Sequence, residues 1–179
     1  MTFTVASDSP SARTLMRWQF RLAHGLFDAT IARLTVEALR RPPPGRLASA
    51  ARCCAQAVLC EDLSVKGLLA ADKPLALSTW ANRTGMSEIP PPAVLADWRA
   101  WAWCPVRIDL AQLAVYSRAV HASTDAYLAA LSDDVFDAVD GETPAGLLSG
   151  LLLTLSMRRG EIACLLALDG PLATDSPPV

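Results

Sequence analysis

The chain has 179 residues, which suits one domain of ordinary size. Hydrophobic residues make up 52% of it and charged residues 19%, which excludes a wholly disordered chain. The net charge of −2 argues against nucleic-acid binding, because there is no basic excess to neutralise phosphates. We therefore expect a single domain over residues 1–179, with a core about 11–171 and a flexible tail over 172–179.

Membrane and export signals are weak. The apolar run from Ala145 to Met157 is shorter than the roughly 20 residues that a spanning helix needs. The N-terminus lacks a basic start followed by an apolar stretch, so we expect no secretory signal. The five cysteines are odd in number and lie mostly in apolar, helical contexts, which suits free thiols in a reducing compartment. The sequence predicts a cytoplasmic protein without a membrane partner.

Helical spacing dominates the first part of the chain. A first helix is predicted from about Ser11 to Leu34, before the three prolines that begin at Pro42. A second helix, rich in alanine and leucine, is predicted from about Leu47 to Ala70. The apolar face of the first helix consists of Leu15, Trp18, Leu22 and Leu26.

A long connector follows, from about Ala71 to Arg107, and contains four of the five tryptophans. Connections of this length are uncommon in a compact domain unless they are functional or hold short elements of their own. We predict short helices at Leu77–Arg83 and Ala93–Ala100. Two-residue alternation of apolar and polar residues is absent, so no strand is predicted.

Two further helices complete the chain. The third is predicted from Asp109 to Leu131. The fourth begins at Thr143, a good N-cap followed by proline, and ends at Gly170. Four long helices with one long connector predict an all-α fold, a four-helix bundle with one crossover connection between its second and third helices.

Four segments occur in a recognisable order along the predicted helices and connector: Arg41 to Gly45, Cys60 to Asp62, Trp80 to Met86 and Arg158 to Ala163. Together they resemble the DinB-like superfamily of four-helix bundles. The resemblance covers the chain from about residue 15 to 171, and it implies that fold and a homodimer.

Typical members of that superfamily hold a divalent metal with three histidines. The corresponding positions are Gln56, Thr154 and Arg158 in this sequence. An arginine guanidinium has no lone pair to give to a metal, and glutamine is a weak oxygen donor. We therefore expect no metal and no cofactor, and the family's metal-dependent thiol S-transferase activity is only a remote alternative.

Arg158 is the most informative of the three substitutions. In the former metal pocket its fixed positive charge would hold a carboxylate or another anion. Gln56 and Thr154 would orient the polar atoms of the ligand, and Trp80 of the connector would stack on an apolar substrate. The alternative is that Arg158 pairs with Glu61 or Asp62 or extends to water, and that the tryptophans only pin the connector to the bundle.

Candidate proton-transfer groups are His121 and an acidic side chain, Glu61 or Asp62. His24 is a weaker candidate. Cys60 lies one helical turn beyond Gln56, where it would be either a nucleophile or a packed small hydrophobe.

The sequence thus predicts a metal-independent small-molecule enzyme, an isomerase, cyclase or group transferase. The alanine-, arginine- and proline-rich composition suggests a bacterial source with a high-GC genome and a role in specialised metabolism. The alternative is a non-catalytic ligand-binding or regulatory protein that keeps the fold. Either would bind a small molecule and form a homodimer.

Overall fold

The computed structural model describes residues 10–42, 48–89, 106–136 and 143–168. These residues contain helices and no strand, apart from one isolated antiparallel bridge between Met86 and Ile108. The all-α class expected from the sequence is confirmed. None of the helices in these ranges is long and apolar enough to span a membrane. The α-helices are α1 (Ala12–Ile31), α2 (Val36–Arg40), α3 (Ala50–Asp62), α4 (Leu110–Ala130), α5 (Asp133–Phe136) and α6 (Pro144–Leu168).

Local capping fixes where the long helices begin. Ser11 Oγ accepts a hydrogen bond from the backbone of Thr14 at the start of α1, and Asp109 caps α4 through Gln112 in the same way. Thr143 Oγ1 accepts from the backbone N–H of Gly146 at the start of α6. Each side chain satisfies an N–H that has no partner within its own helix. The predicted starts of these three helices are therefore confirmed.

The second helix and the connector differ from their predictions. α3 continues not as α-helix but as a π-helix over Leu63–Leu69, and Ala71 follows with φ 48°. The short helix predicted at Leu77–Arg83 is wrong: a 3₁₀ turn covers Leu75–Leu77, and Asn82 takes a left-handed φ of 61° that no right-handed helix accepts. Three predictions, the helix at residues 93–100, the stop at residue 170 and the flexible tail, lie outside the described residues.

The four long helices pack around a shared core. α1 and α3 each pack against both α4 and α6. The apolar face predicted for α1 is not the face that α1 buries: Trp18 is 60% exposed and Leu26 is 40% exposed. The buried face lies on the opposite side of the helix, since successive residues turn by about 100°. It consists of Phe20, His24, Phe27 and Ile31.

Candidate functional site

A cavity of about 360 Å³ opens between α3 and α6. Gln56, Thr154 and Arg158, three of the four residues predicted to bind substrate, line it. Gln56 lies on α3 four residues from Cys60, and Thr154 lies on α6 four residues from Arg158, so each pair shares one helix face. The remaining lining residues are Cys60, Ser64, Leu151 and Met157.

Gln56 brings an unsatisfied amide to this cavity. Its side chain is 2% exposed, and its Nε2 has no hydrogen-bond partner within the described part of the chain. An amide nitrogen carries two N–H donors, and leaving a buried donor unpaired costs about 1–3 kcal/mol. An acceptor atom of a bound molecule would remove that cost.

Arg158 brings a positive charge. Its Nη1 donates to both carboxylate oxygens of Glu161, at 3.0 and 2.7 Å, and the arginine side chain is 17% exposed. The intrachain partner is thus Glu161, one helical turn away, and neither Glu61 nor Asp62. These bonds engage one terminal nitrogen of a guanidinium that has five N–H donors.

This set of groups does not fit a metal ion. Thr154 Oγ1 donates to the carbonyl oxygen of Gly150 at 2.9 Å, and Arg158 has only donors and a fixed positive charge. The metal that the DinB-like resemblance implies therefore has no adequate ligand set at Gln56, Thr154 and Arg158.

Cys60 lines the same cavity but is a poor nucleophile there. Burial raises the pKa of its thiol, and the nearby charge of Arg158 only partly opposes the shift. The nucleophilic form of cysteine is the thiolate, so a raised pKa leaves the group protonated and unreactive at neutral pH. This supports the interpretation of Cys60 as a packed small hydrophobe.

A second cluster, His24, Glu61 and His121, lies at the meeting of α1, α3 and α4. His24 Nε2 is 3.0 and 3.1 Å from the two carboxylate oxygens of Glu61, and Thr124 Oγ1 donates to that carboxylate at 2.5 Å. The rings of His24 and His121 stack in parallel, with centroids 3.7 Å apart. The structure therefore brings together the two residues predicted to be catalytic, and adds His24 to them.

Electrostatics favour an ionised Glu61 in this cluster. Burial by itself raises the pKa of the Glu61 carboxyl, but the hydrogen bond from His24, attraction by both imidazoles and the Thr124 hydroxyl outweigh it and lower the pKa. Burial lowers the pKa of His121 to about 4, an effect that His24 reinforces and Glu61 opposes. His121 is therefore neutral at pH 7.

Asp62 serves the fold and not the site. Its carboxylate accepts from the backbone N–H groups of Leu75 and Ala76 and from the Tyr116 hydroxyl, at 2.9, 2.8 and 2.7 Å. It thereby ties the first part of the connector to α3 and α4. The Trp80 ring packs on Tyr116, with centroids 5.7 Å apart, and Trp80 is not among the residues that line the α3–α6 cavity.

The predicted site is thus divided between two places. Cys60 and Glu61 are consecutive, so their side chains leave α3 about 100° apart and face different neighbours. Cys60 faces the cavity beside α6, whereas Glu61 meets α1 and α4. The signal that would have found His24 is its spacing from Phe20 and Phe27, which marks the buried face of α1.

Comparisons with known proteins support the fold and say nothing about chemistry. No protein-family model matches the chain, and neither does any curated protein. The crystal structure of a conserved protein from Enterococcus faecalis is similar, with a TM-score of 0.72 and 20% sequence identity. The similarity covers 89% of this chain and 98% of that chain. At this level of identity, the two proteins share a fold.

Proposed function

We propose that the protein binds a small molecule without the help of a metal. Its fold would be a DinB-like four-helix bundle, and the α3–α6 cavity would hold an anionic or carbonyl group of the ligand. The bundle and its crossover between the second and third long helices belong to the proposal. They are supported by the pairing of α1 and α3 with the same two helices. They are also supported by the long connector between the π-helix at Leu63–Leu69 and α4.

The unpaired amide of Gln56 is the observation that carries this proposal. A buried donor without a partner is an unfavourable arrangement, and here it belongs to a residue that lines a cavity together with Arg158. Donors from two helices that converge on one cavity select a ligand rich in acceptors. The apolar side chains of Leu151 and Met157 would contact the rest of such a ligand.

A binding or regulatory role fits the cavity better than catalysis. His121 and Glu61, the groups proposed to move protons, do not line it. Cys60, the candidate nucleophile that does line it, is held protonated by burial. The metal-dependent thiol transferase is disfavoured because Gln56, Thr154 and Arg158 do not form an adequate set of metal ligands.

An enzyme is the second candidate, an isomerase, cyclase or group transferase of bacterial specialised metabolism. The observation that favours it is the His24–Glu61–His121 cluster, since buried groups with shifted pKa values are common at catalytic sites. Catalysis there would need a substrate group that reaches this cluster.

A ligand-binding experiment with probes matched in length tests the function. Hexanoate, hexanamide and hexylammonium carry an anion, a neutral carbonyl and a cation on the same apolar chain. Ligand-observed NMR on metal-free protein should detect hexanoate and hexanamide and not hexylammonium, and Gln56→Leu should weaken both. Binding of the cation alone, or of none of the three, would refute the proposal.

A homodimer and a cytoplasmic location are also part of the proposal. The exposed apolar face of α1, formed by Leu15, Trp18, Leu22 and Leu26, is a surface that a second copy would bury. The cysteines that the structure describes are free thiols, which suits a reducing compartment.

A further inference from the structure

We infer that His24, Glu61 and His121 bind one divalent transition-metal ion. These residues supply two imidazole nitrogens and one carboxylate oxygen, a set that suits zinc, cobalt, nickel and ferrous iron better than magnesium or calcium. The inference revises the sequence expectation that the chain holds no metal. It concerns a place away from the α3–α6 cavity and does not depend on the function proposed for that cavity.

The three donor atoms lie near enough for a small side-chain movement to bring them onto one ion. One donor atom from each of the three residues lies within 4.8 Å of the other two. Ligand atoms bound at about 2.1 Å in a tetrahedral site lie about 3.4 Å apart, so a pair at the 4.8 Å limit must close by about 1.4 Å. All three residues are buried: His24 is 7%, Glu61 2% and His121 8% exposed.

The two rings must also reorient. An imidazole nitrogen directs its lone pair within the ring plane, whereas the rings of His24 and His121 now stack at an interplanar angle of 6°. Binding of one ion by both rings therefore requires them to tilt out of the stack. Little hydrogen bonding opposes such a movement of His121. Within the described residues, the hydrogen bond of its Nε2 is to Ser117 Oγ, at 3.1 Å.

The surroundings supply what an ion needs beyond its direct ligands. Thr124 donates to Glu61 and so fixes the carboxylate, as outer hydrogen bonds commonly do in metal sites. Asp28 lies 3.8 Å from Nδ1 of His121 and lines an open cavity of about 530 Å³ between α1 and α4. This half-exposed carboxylate marks a path by which a cation would reach the three ligands.

The test uses untagged full-length protein loaded with cobalt(II), whose visible absorption reports its ligands. We expect about one cobalt ion per chain after dialysis, measured by elemental analysis, and an absorption typical of nitrogen and oxygen ligands. Glu61→Gln and His121→Gln should each lower the retained cobalt at least tenfold. Arg158→Leu, in the α3–α6 cavity, should leave it unchanged.

Other results would overturn the inference. One is wild-type protein that retains no cobalt, which would make the cluster a buried hydrogen-bonded group only. Another is cobalt retained by both Glu61→Gln and His121→Gln, or an intense thiolate-to-cobalt absorption, which would assign the ion to cysteines. Circular dichroism verifies that each variant is folded, and His24→Gln replaces any variant that is not.

Discussion

The buried carboxylate of Glu61 forms hydrogen bonds with His24 and Thr124. We predict that Glu61→Gln lowers the free energy of unfolding of metal-free protein by about 2–3 kcal/mol, because it weakens two buried hydrogen bonds to a carboxylate. Urea denaturation monitored by circular dichroism measures this change.

Glu161→Gln is the matched control for that substitution. Glu161 pairs with Arg158, but the Glu161 side chain is 40% exposed. Removing its charge should therefore lower the free energy of unfolding by less than about 1 kcal/mol. Equal losses for the two variants would contradict the view that burial makes the Glu61 cluster the stronger structural contact.

The contacts that could be predicted from the sequence are those between a side chain and the backbone a few residues away. Ser11, Asp109 and Thr143 cap helices through N–H groups three residues away, so a short pattern is sufficient to identify them. The contact between His24 and Glu61 joins residues 37 positions apart. Nothing in the local pattern indicates it, which explains why the sequence analysis gave His24 little weight.

At the scale of single elements, replacement by alanine should have opposite effects on stability at two glycines. Gly85 has φ +78°, and a Cβ there would lie 2.4 Å from the backbone nitrogen of Leu113. Gly25, within α1, has open space around it. Gly85→Ala should therefore destabilise the protein by more than about 2 kcal/mol, whereas Gly25→Ala should stabilise it by about 0.5–1 kcal/mol through helix propensity.

Thermal unfolding of the two alanine variants checks this prediction directly. A Gly85→Ala variant as stable as the wild type would mean that the connector does not lie against the start of α4 as described.

The exposed face of α1 predicts the oligomeric state. In the proposed homodimer, Trp18→Lys would place a charge in the interface and should yield monomers. The fold of each chain should remain stable to within about 0.5 kcal/mol, because Trp18 is 60% exposed. Size-exclusion chromatography with light scattering measures the mass.

Ala122→Lys, on the exposed side of α4, is the control and should leave the dimer intact. A monomeric wild type, or a dimeric Trp18→Lys variant, would contradict the assignment of this face to a second copy.

α1 also explains why helix periodicity alone did not identify the core. Its sequence contains two sets of residues at helical spacing, one through Leu15, Trp18 and Leu22 and another through Phe20 and Phe27. Both give an acceptable apolar face, and only packing against α4 and α6 selects the second. The class of the element was therefore predictable, and its orientation was not.

At the scale of the whole molecule, Asp125 links α4 to α1 through paired bonds to Arg17 and Arg21, at 2.7–3.0 Å. The hydrogen bonds and charges of these two arginines hold the pKa of Asp125 well below its usual range. A lowered carboxyl pKa gives stability that is present above about pH 4 and is lost as the pH falls towards the folded-state pKa.

We predict that Asp125→Asn is about 1 kcal/mol less stable than the wild type at pH 7, and that this gap narrows below about pH 4. Urea denaturation across pH 7 to 2 measures it. Asp134→Asn, an exposed carboxylate on α5, should change little at any pH. A gap for Asp125→Asn that stays constant down to pH 2 would contradict the prediction.

The fold was more predictable than the site because the two depend on different information. Helices over most of α1, α4 and α6 follow from local spacing and caps. The α3–α6 cavity was predicted through the resemblance, which aligned Gln56 with Thr154 and Arg158. Glu61 lies away from that cavity because consecutive residues of α3 point in directions about 100° apart. The sequence analysis placed both groups in one site and did not consider this rotation.

Binding of a carboxylate to metal-free protein tests the central claim, that the α3–α6 cavity holds an anionic group through Arg158. Isothermal titration with a panel of linear and aromatic monocarboxylates compares the wild type with Arg158→Leu and with Arg118→Leu, whose arginine lines the other cavity. The account predicts that at least one carboxylate binds the wild type and Arg118→Leu equally, and binds Arg158→Leu at least tenfold more weakly. Equal affinity for the wild type and Arg158→Leu, or no binding across the panel, would contradict it.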